Sequence, residues 1–260
     1  MRALVLAAGG VTGALYEVGV LRTVEDQVGP LGDVFDLVLG VSAGATVSAF
    51  VSPRVTPGAL YEALLNGNDT LFPLRQEHLT ALDLRQGARV AAMALQQLSR
   101  AVGRFLPGGA PRGSHGTTLS GLFSTTAYER FLSTTFEANG LSNYFPRIPR
   151  RLLVPATDLD TTRRVVFGTA GWSDTPVSRA VAASSAIPGF FDPVAIGDRT
   201  FIDGNVGDVA NLDVLLAEGV RRVLVVSLMV PVENAGSRWQ VSAASESARG
   251  MSGDETTRRV

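Results

Sequence analysis

The sequence predicts an α/β protein with a largely parallel central sheet, and three observations favour this class. Short apolar runs alternate with longer segments of helical spacing along most of the chain. A glycine turn at residues 9–13 follows the first apolar run, and a Gly-x-Ser-x-Gly turn at residues 40–44 follows the second. Both turns are of the kind that connects a buried strand to the next helix. With 260 residues the chain is long enough for one large domain.

The predicted elements alternate along the chain. Residues 2–7 are an apolar run that predicts a buried strand, and residues 14–28 have apolar side chains at helical spacing. Residues 35–39 predict the second strand, and Pro53 and Pro57 end the helix that follows it. The remaining predicted elements are helix 58–66, helix 80–106, helix 126–138, strand 152–157, strand 164–168, helix 176–186, strand 200–202, helix 214–219 and a final buried strand 223–228.

Composition divides the chain at residue 232. Residues 1–232 carry the alternating pattern and predict one folded domain. Residues 233–260 are rich in Ser, Glu, Arg, Gly and Thr, and Trp239 and Val241 are their main apolar anchors. We expect this segment to be a polar C-terminal tail that is flexible or folds only against another surface.

Charge and cysteine content exclude several functions. The chain has 23 basic and 24 acidic residues, so nothing indicates a nucleic acid as a partner. It has no cysteine, which excludes disulfides, a cysteine nucleophile and thiolate metal sites. No apolar run reaches the length that spans a bilayer. We expect a cytoplasmic protein, because early glycines interrupt the apolar N-terminus and disfavour a signal peptide.

Ser42 lies between a predicted strand and a helix of small residues, in the motif Gly40-Val41-Ser42-Ala43-Gly44. This order predicts a nucleophile elbow, a sharp turn that raises one serine hydroxyl above the sheet edge. Glycines flank the serine because side chains at their positions would meet the neighbouring strand or the helix start. The alternative is a serine in a glycine-rich packing turn without chemistry.

The turn at residues 9–13 contains Gly9, Gly10 and Gly13 between a strand and a helix. Consecutive backbone amides in such a turn can converge on one point, which predicts an oxyanion hole for Ser42. The spacing is not Gly-x-Gly-x-x-Gly, and no lysine follows as in a P-loop, so nucleotide binding is disfavoured. A tight turn without chemistry is the other alternative.

A serine nucleophile needs a base, and the residues alone do not select one. The two histidines, His78 and His115, precede the position at which a late histidine would complete an α/β-hydrolase triad. A carboxylate is therefore the better candidate, and Asp203 stands at the end of a short apolar strand before Gly204. Four other aspartates compete with it on equal terms, and these are Asp158, Asp160, Asp192 and Asp208.

Three blocks occur together in one order: residues 9–13, residues 40–44, and a long third block. The third block runs from Ala-Ser-Ser-Ala-Ile-Pro-Gly-Phe-Phe-Asp-Pro at 183–193 to Phe-Ile-Asp-Gly at 201–204. In this combination the chain resembles the patatin-like phospholipase family over residues 2–230. The resemblance implies a three-layer α/β/α fold and hydrolysis of acyl esters in lipids.

The resemblance also implies a role for each motif residue. Ser42 would be the nucleophile and Asp203 the base of a Ser-Asp dyad without histidine, metal or cofactor. The oxyanion would bind to the backbone amides of Gly9, Gly10 and Ala43. The remaining motif glycines are Gly13, Gly40, Gly44 and Gly204.

The chain departs from the family pattern at four places. Ala8 stands where the family usually has a further glycine, and Thr12 where a basic residue is common. Asn205 follows Asp203-Gly204 in place of Gly or Ala, and the usual Asn-x-Pro region is replaced by residues 209–211. These departures bear on rate and substrate choice more than on the dyad.

We therefore predict a lipid acyl hydrolase of the phospholipase A or esterase type that works through an acyl-enzyme. Its substrate would be a phospholipid or another acyl-ester lipid. The alternatives are an acyltransferase or a non-lipid esterase at the same site, and a catalytically silent member that binds lipid or protein. Peripheral membrane contact is a further expectation, because helix 80–106 joins an apolar stripe to four arginines. That helix could equally be an ordinary covering helix, and the arginines are Arg85, Arg89, Arg100 and Arg104.

Overall fold

The computed structural model of the chain describes residues 1–66, 71–80, 121, 123–206 and 211–228. Several predictions lie outside these residues. They concern helix 80–106 beyond Thr80, His115, Asp208 and the tail at 233–260.

A seven-stranded sheet forms the centre of the described fold. Its strands are β1 (Arg2–Leu6), β2 (Leu37–Gly40), β3 (Arg151–Asp158), β4 (Arg164–Phe167), β5 (Val194–Ile196), β6 (Arg199–Asp203) and β7 (Arg222–Val226). The strand order is β5-β6-β3-β2-β1-β7, and β4 also pairs with β3. The strands β7, β1, β2 and β3 are mutually parallel, whereas β4, β5 and β6 pair in antiparallel fashion.

Helices cover both faces of this sheet. They are α1 (Gly10–Val28), α2 (Leu31–Val34), α3 (Ala43–Val51), α4 (Pro57–Asn66), α5 (Gln76–Leu79), α6 (Thr125–Ala138), α7 (Val177–Ser184) and α8 (Leu212–Ala217). Short 3₁₀ turns occupy Phe145–Arg147 and Gly204–Val206. The predicted three-layer α/β/α architecture is confirmed.

Alternate side chains of β1 show how the layers are held together. Leu4 and Leu6 belong to a large core that includes residues of α1, α3, α6 and α7. Ala3 and Val5 point to the opposite face and join a smaller core with Leu215 of α8. Because both faces of β1 are covered, its sequence is a continuous apolar run rather than an alternating one.

Some element bounds differ from the prediction. Helix α1 begins at Gly10 rather than at Ala14, because the amide of Gly13 already bonds to the carbonyl of Gly9 at 2.9 Å. The last strand was predicted to be buried, but β7 lies at the sheet edge and leaves Val223 and Val225 partly exposed. The short elements α2 and β5 were not predicted, since three or four residues show no periodicity.

Candidate active site

The two glycine turns lie side by side at one edge of the sheet. Strands β1 and β2 are parallel, and Leu6 is paired with Gly40 in their register. The turn at residues 9–13 therefore leaves β1 beside the turn that leaves β2 and contains Ser42. Carboxyl ends of parallel strands are the usual place for a functional site in an α/β sheet.

Ser42 occupies a strained elbow between β2 and α3. Its backbone has φ 54° and ψ −118°, a conformation that residues with a Cβ rarely adopt. A Cβ at Gly40 would overlap the Oγ of Ser48, and a Cβ at Gly44 would overlap the carbonyl of Leu6. The two glycines of the motif are thus required by the close packing of α3 on β1 and β2, which agrees with the sequence-based reason for them.

Asp203 meets the side chain of Ser42 although it comes from a distant strand. It ends β6, which pairs with β3 so that Asp203 lies opposite Ala156. Its carboxylate accepts hydrogen bonds from the Ser42 hydroxyl and, at 2.8 Å, from the amide of Asn205. Ser42 and Asp203 are each only 4% exposed. A buried serine hydroxyl therefore has a buried carboxylate as its partner.

The surroundings of Asp203 suit it to accept a proton. Burial raises the pKa of its carboxyl above 3.8, and the hydrogen bonds from Asn205 and Ser42 offset part of that rise. A carboxylate with a raised pKa is a stronger base than one in water. Gly204 allows this placement, because a Cβ there would overlap the carbonyl of Pro155 in β3.

Backbone amides from two helix starts face this edge of the sheet. Helix α1 begins at Gly10 and α3 begins at Ala43. Within the described ranges, the amides of Gly9, Gly10 and Ala43 have no protein acceptor. Gly9 has to be glycine, since a Cβ there would come within 2.7 Å of the Gly13 Cα, whereas a Cβ at Gly13 would meet the Ala8 carbonyl carbon at an ordinary 3.9 Å. The amides that the sequence predicted for an oxyanion are available for a ligand, as first-turn amides of helices are.

The other candidate bases have different partners. His78 stacks on Phe131, with ring centroids 4.8 Å apart, and its Nδ1 accepts a hydrogen bond from the amide of Arg75. It also lines a cavity of about 490 Å³ beside α5 and α6, whose described lining includes neither Ser42 nor Asp203. His78 is therefore packed against Phe131 of α6 and bonded to the backbone of Arg75.

The competing aspartates are also accounted for. Hydrogen bonds from the amides of Thr161 and Asp160, together with Arg199, hold the pKa of Asp158 below its usual range. Asp192 accepts a hydrogen bond from the amide of Gly121 at 2.9 Å, and Asp160 is exposed. Of the aspartates that the structure describes, Asp203 is the one bonded to the Ser42 hydroxyl.

Sequence reasoning missed a set of supporting residues around the elbow. Ser184 and Ser185 lie in the third sequence block, but their contacts with the backbone of Ser42 join parts of the chain that are far apart. Tyr128 of α6 is hydrogen-bonded to Ser185 and to Thr46 of α3. No spacing signal in the sequence indicates these contacts.

The described part of the chain lacks two features, a cluster of metal ligands and a helix that could span a membrane. It contains no group of three or more His, Asp or Glu side chains arranged to hold a metal ion. None of its helices combines the length and apolar character needed to cross a membrane.

The fold and the elbow define an α/β protein with a serine at the carboxyl edge of its parallel strands. A comparison with family profiles matches residues 4–216 to the patatin-like phospholipases. The chain belongs to the patatin-like phospholipase family.

Comparison with individual proteins gives more distant likenesses. The chain is 35% identical over 102 residues to a cUMP-AMP-activated phospholipase of Escherichia coli, and the match covers 39% of this chain and 28% of that protein. Among solved structures it is similar to VipD from Legionella pneumophila, with 13% identity, a TM-score of 0.43 and coverage of 96% of this chain and 52% of VipD.

A second solved structure is the complex of SpcU with ExoU from the type III secretion system of Pseudomonas aeruginosa. Here the identity is 18%, the TM-score is 0.39, and coverage is 71% of this chain and 38% of the other. The chain thus spans about half or less of the length of these relatives.

Proposed function

We propose that the protein hydrolyses acyl esters of lipids, with Ser42 as the nucleophile and Asp203 as the base. The observation that carries this proposal is the hydrogen bond between the Ser42 hydroxyl and the buried Asp203 carboxylate at the elbow. Membership of the patatin-like phospholipase family supports an ester lipid as the substrate class.

In the first step Asp203 accepts the Ser42 proton while the serine oxygen attacks the ester carbonyl carbon. The carbonyl oxygen becomes negatively charged, and the amides of Gly9, Gly10 and Ala43 stabilise it. An amide that follows the nucleophile and amides from another loop form the oxyanion hole of other nucleophile elbows. The tetrahedral intermediate collapses, the alcohol leaves with the proton from Asp203, and the acyl group stays on Ser42.

In the second step water replaces the alcohol. Asp203 accepts a proton from the water, and the resulting hydroxide attacks the acyl-enzyme carbonyl. The same amides stabilise the second oxyanion. Ser42 leaves with the proton from Asp203, and the fatty acid is released. Each step returns Asp203 to its ionised form, so the residues complete a cycle with water as the other reactant.

A lipid substrate also needs a route from a membrane to Ser42, and exposed apolar side chains flank the site. Val11 and Leu15 of α1 and Leu228 after β7 lie on the β1 side, and each is at least 41% exposed. Leu228 lies beside the glycine turn, since its Cβ is 3.7 Å from where a Cβ of Gly9 would be.

A second group of exposed apolar side chains lies on the Asp203 side. Ile187 follows Ala186, whose carbonyl accepts a hydrogen bond from the amide of Asp203. Phe190 ends the turn that Ile187 begins, and Val206 ends the 3₁₀ turn after Asp203. We name the two groups together the apolar rim, and its members are Val11, Leu15, Ile187, Phe190, Val206 and Leu228, each 41–55% exposed.

We propose that the apolar rim touches the lipid surface from which the substrate is drawn. Exposed apolar groups that surround a site are unfavourable in water and gain free energy by entering an apolar phase. Their location on both sides of Ser42, set by the strand order β6-β3-β2-β1-β7, favours lipid as the occupant. Cytoplasmic localisation with peripheral membrane contact stays a prediction.

A fluorophosphonate probe tests the proposed function directly, because it reacts with an activated serine. We expect the wild-type protein to be labelled, with the modified peptide mapped to Ser42 by mass spectrometry. Release of fatty acid from phospholipid should accompany labelling, and transfer of the acyl group to another alcohol would indicate the acyltransferase alternative. A folded protein that the probe does not label would indicate a catalytically silent member.

A further inference from the structure

Three consecutive residues at the end of α7 hold the backbones of both proposed catalytic residues. The amide of Ser42 donates to the Oγ of Ser184 at 3.0 Å, and the Oγ of Ser185 donates to the carbonyl of Ser42 at 3.2 Å. The amide of Asp203 donates to the carbonyl of Ala186 at 3.0 Å. We name residues 184–186 the bracket, because it bonds to Ser42 on one side and to Asp203 on the other.

A second connection runs through β3. The Ser184 hydroxyl donates its proton to the carbonyl of Pro155 at 2.6 Å. The Ser184 oxygen can therefore act only as an acceptor toward the amide of Ser42. Gly204 packs directly on that same carbonyl, since a Cβ there would overlap it. The bracket and Pro155 therefore close a ring of contacts from Ser42 to the Asp203-Gly204 turn.

The strained backbone of Ser42 explains why such support matters. At φ 54° and ψ −118° the serine is outside the regions that its own side chain favours. A residue keeps such a conformation only when its surroundings fix it. Here the Oγ of Ser184 accepts a hydrogen bond from the Ser42 amide, and the Ser185 hydroxyl donates one to the Ser42 carbonyl. Tyr128 is in turn hydrogen-bonded to Ser185 and Thr46.

We propose that Ser184 and Ser185 are positioning residues that set the geometry between the Ser42 hydroxyl and Asp203. This inference rests on the proposed function of the dyad. Ser184 also accepts the hydrogen bond of the Ser42 amide, so that this amide is not free to bind the oxyanion. The oxyanion would then bind to the amide of Ala43 and to those of the glycine turn. Neither serine touches the reacting atoms, and both act through the backbone of Ser42.

Ser178 offers a matched control in the same helix. It is buried like Ser184, at 1% exposure against 0%, and its Oγ accepts one hydrogen bond, from Asn143. Within the described part of the chain, its side chain is hydrogen-bonded to Asn143, and its amide donates to the Oδ1 of the same residue. Ser178→Ala and Ser184→Ala therefore each remove one buried hydroxyl from α7, but only the second change loosens Ser42.

The experiment measures the rate constant of fluorophosphonate labelling, kcat and KM on a small soluble ester, and the urea midpoint of each variant. We expect Ser184→Ala and Ser185→Ala to lower the labelling rate and kcat by about tenfold to a hundredfold with little change in KM. Ser178→Ala should stay within about twofold of wild type while shifting the urea midpoint as Ser184→Ala does. Ser185→Thr, which keeps the hydroxyl, should recover most of the rate.

The outcomes separate this inference from the proposed function. Wild-type protein labelled at Ser42, with Ser184→Ala and Ser185→Ala labelled as fast as Ser178→Ala, would overturn the positioning role alone. Wild-type protein that is folded but not labelled would overturn the proposed function and this inference with it. Should Ser184→Ala fail to fold, the partly exposed Ser185 provides the deciding pair, Ser185→Ala against Ser185→Thr.

Discussion

The hydroxyl of Ser42 is hydrogen-bonded to the carboxylate of Asp203, although β3 lies between the strands that carry them. The contact forms because Gly204 lets the end of β6 approach the carbonyl of Pro155 in β3. Two residues that come from different strands of the sheet are thereby brought together. The predictions below begin with this pair.

We expect Ser42→Ala and Asp203→Asn each to abolish turnover while leaving the fold intact. The two residues act as a unit, so the double variant should be no worse than either single one. Fatty-acid release and circular dichroism measure the two properties. Substantial activity in either folded variant would contradict the assignment of Ser42 as the nucleophile and Asp203 as the base.

Acid should slow the labelling of Ser42 at a pH above 3.8, the ordinary pKa of an aspartate carboxyl. Asp203 must be ionised to accept the Ser42 proton, and burial raises its pKa above 3.8. The labelling rate should therefore rise with pH through a single limb whose midpoint lies above 3.8. A labelling rate that stays constant down to pH 3.8 would contradict Asp203 as the base.

Histidine should not be needed for the chemistry. His78 bonds to the amide of Arg75 and stacks on Phe131, so His78→Ala should cost some stability. Its kcat should stay within about fivefold of wild type, less than about 1 kcal/mol of barrier. We predict the same rate for His115→Ala from the sequence. A thousandfold loss in a folded histidine variant would point to a triad.

Removing apolar side chains from the rim should weaken lipid binding without changing the chemistry. We expect Val11→Ser combined with Ile187→Ser to reduce sedimentation with neutral phosphatidylcholine vesicles about tenfold, since each side chain buries apolar area there. Turnover of a small soluble ester should be unchanged. The matched control is Leu65→Ser with Leu216→Ser, which removes exposed apolar side chains elsewhere on the surface.

The vesicle experiment also separates two membrane contacts. Neutral lipid and high salt isolate the apolar contribution, because salt screens the attraction between arginines and anionic lipid. Equal vesicle binding by the rim variant and its control would show that the apolar rim does not contribute to lipid binding. Binding that needs anionic vesicles at low salt would instead favour Arg85, Arg89, Arg100 and Arg104, which lie outside the described residues.

Glu17 should make the protein less stable as pH rises. It is 1% exposed in α1, one of its carboxyl oxygens has no partner among the described residues, and burial raises its pKa from 4.5 to about 9. Between these values the folded state keeps a proton that the unfolded state has lost, so the free energy of unfolding falls with pH. The slope should reach at most about 1.4 kcal/mol per pH unit.

Glu17→Gln isolates the effect of Glu17 ionisation on the free energy of unfolding, because the glutamine amide cannot ionise. Urea unfolding at several pH values should show the stability of wild type falling relative to Glu17→Gln between pH 4.5 and about 9. Parallel stability curves for the two proteins would show that Glu17 does not titrate as its burial suggests.

Local patterns made the elbow predictable, whereas the base and its supports depend on long-range contacts. Gly40, Ser42 and Gly44 are close in sequence and follow an apolar strand, so the turn could be predicted from residue types alone. Asp203 could not be separated from four other aspartates until the family resemblance selected it. The structure brings it to Ser42 through antiparallel pairing of β6 with β3, which a βα pattern does not indicate.

The bracket shows the same limit more clearly. Ser184 and Ser185 were visible in the third block, but a hydroxyl that bonds to a distant backbone leaves no periodic signal. Edge position was equally hidden: the apolar run of β7 is typical of a buried strand, yet Val223 and Val225 are partly exposed. Sequence patterns predict which residues form an element more securely than what lies next to it.

The close approach of α3 to β1 determines which residues of the motif can be substituted during evolution. Gly40 and Gly44 are demanded by the crowding of Ser48 and Leu6, whether or not any ester is cleaved. A descendant that lost its substrate would still have to keep both glycines in order to fold, while the serine and Asp203 would be free to drift. In this fold Gly40 and Gly44 therefore indicate family membership, whereas Ser42 and Asp203 indicate whether a family member can catalyse the proposed reaction.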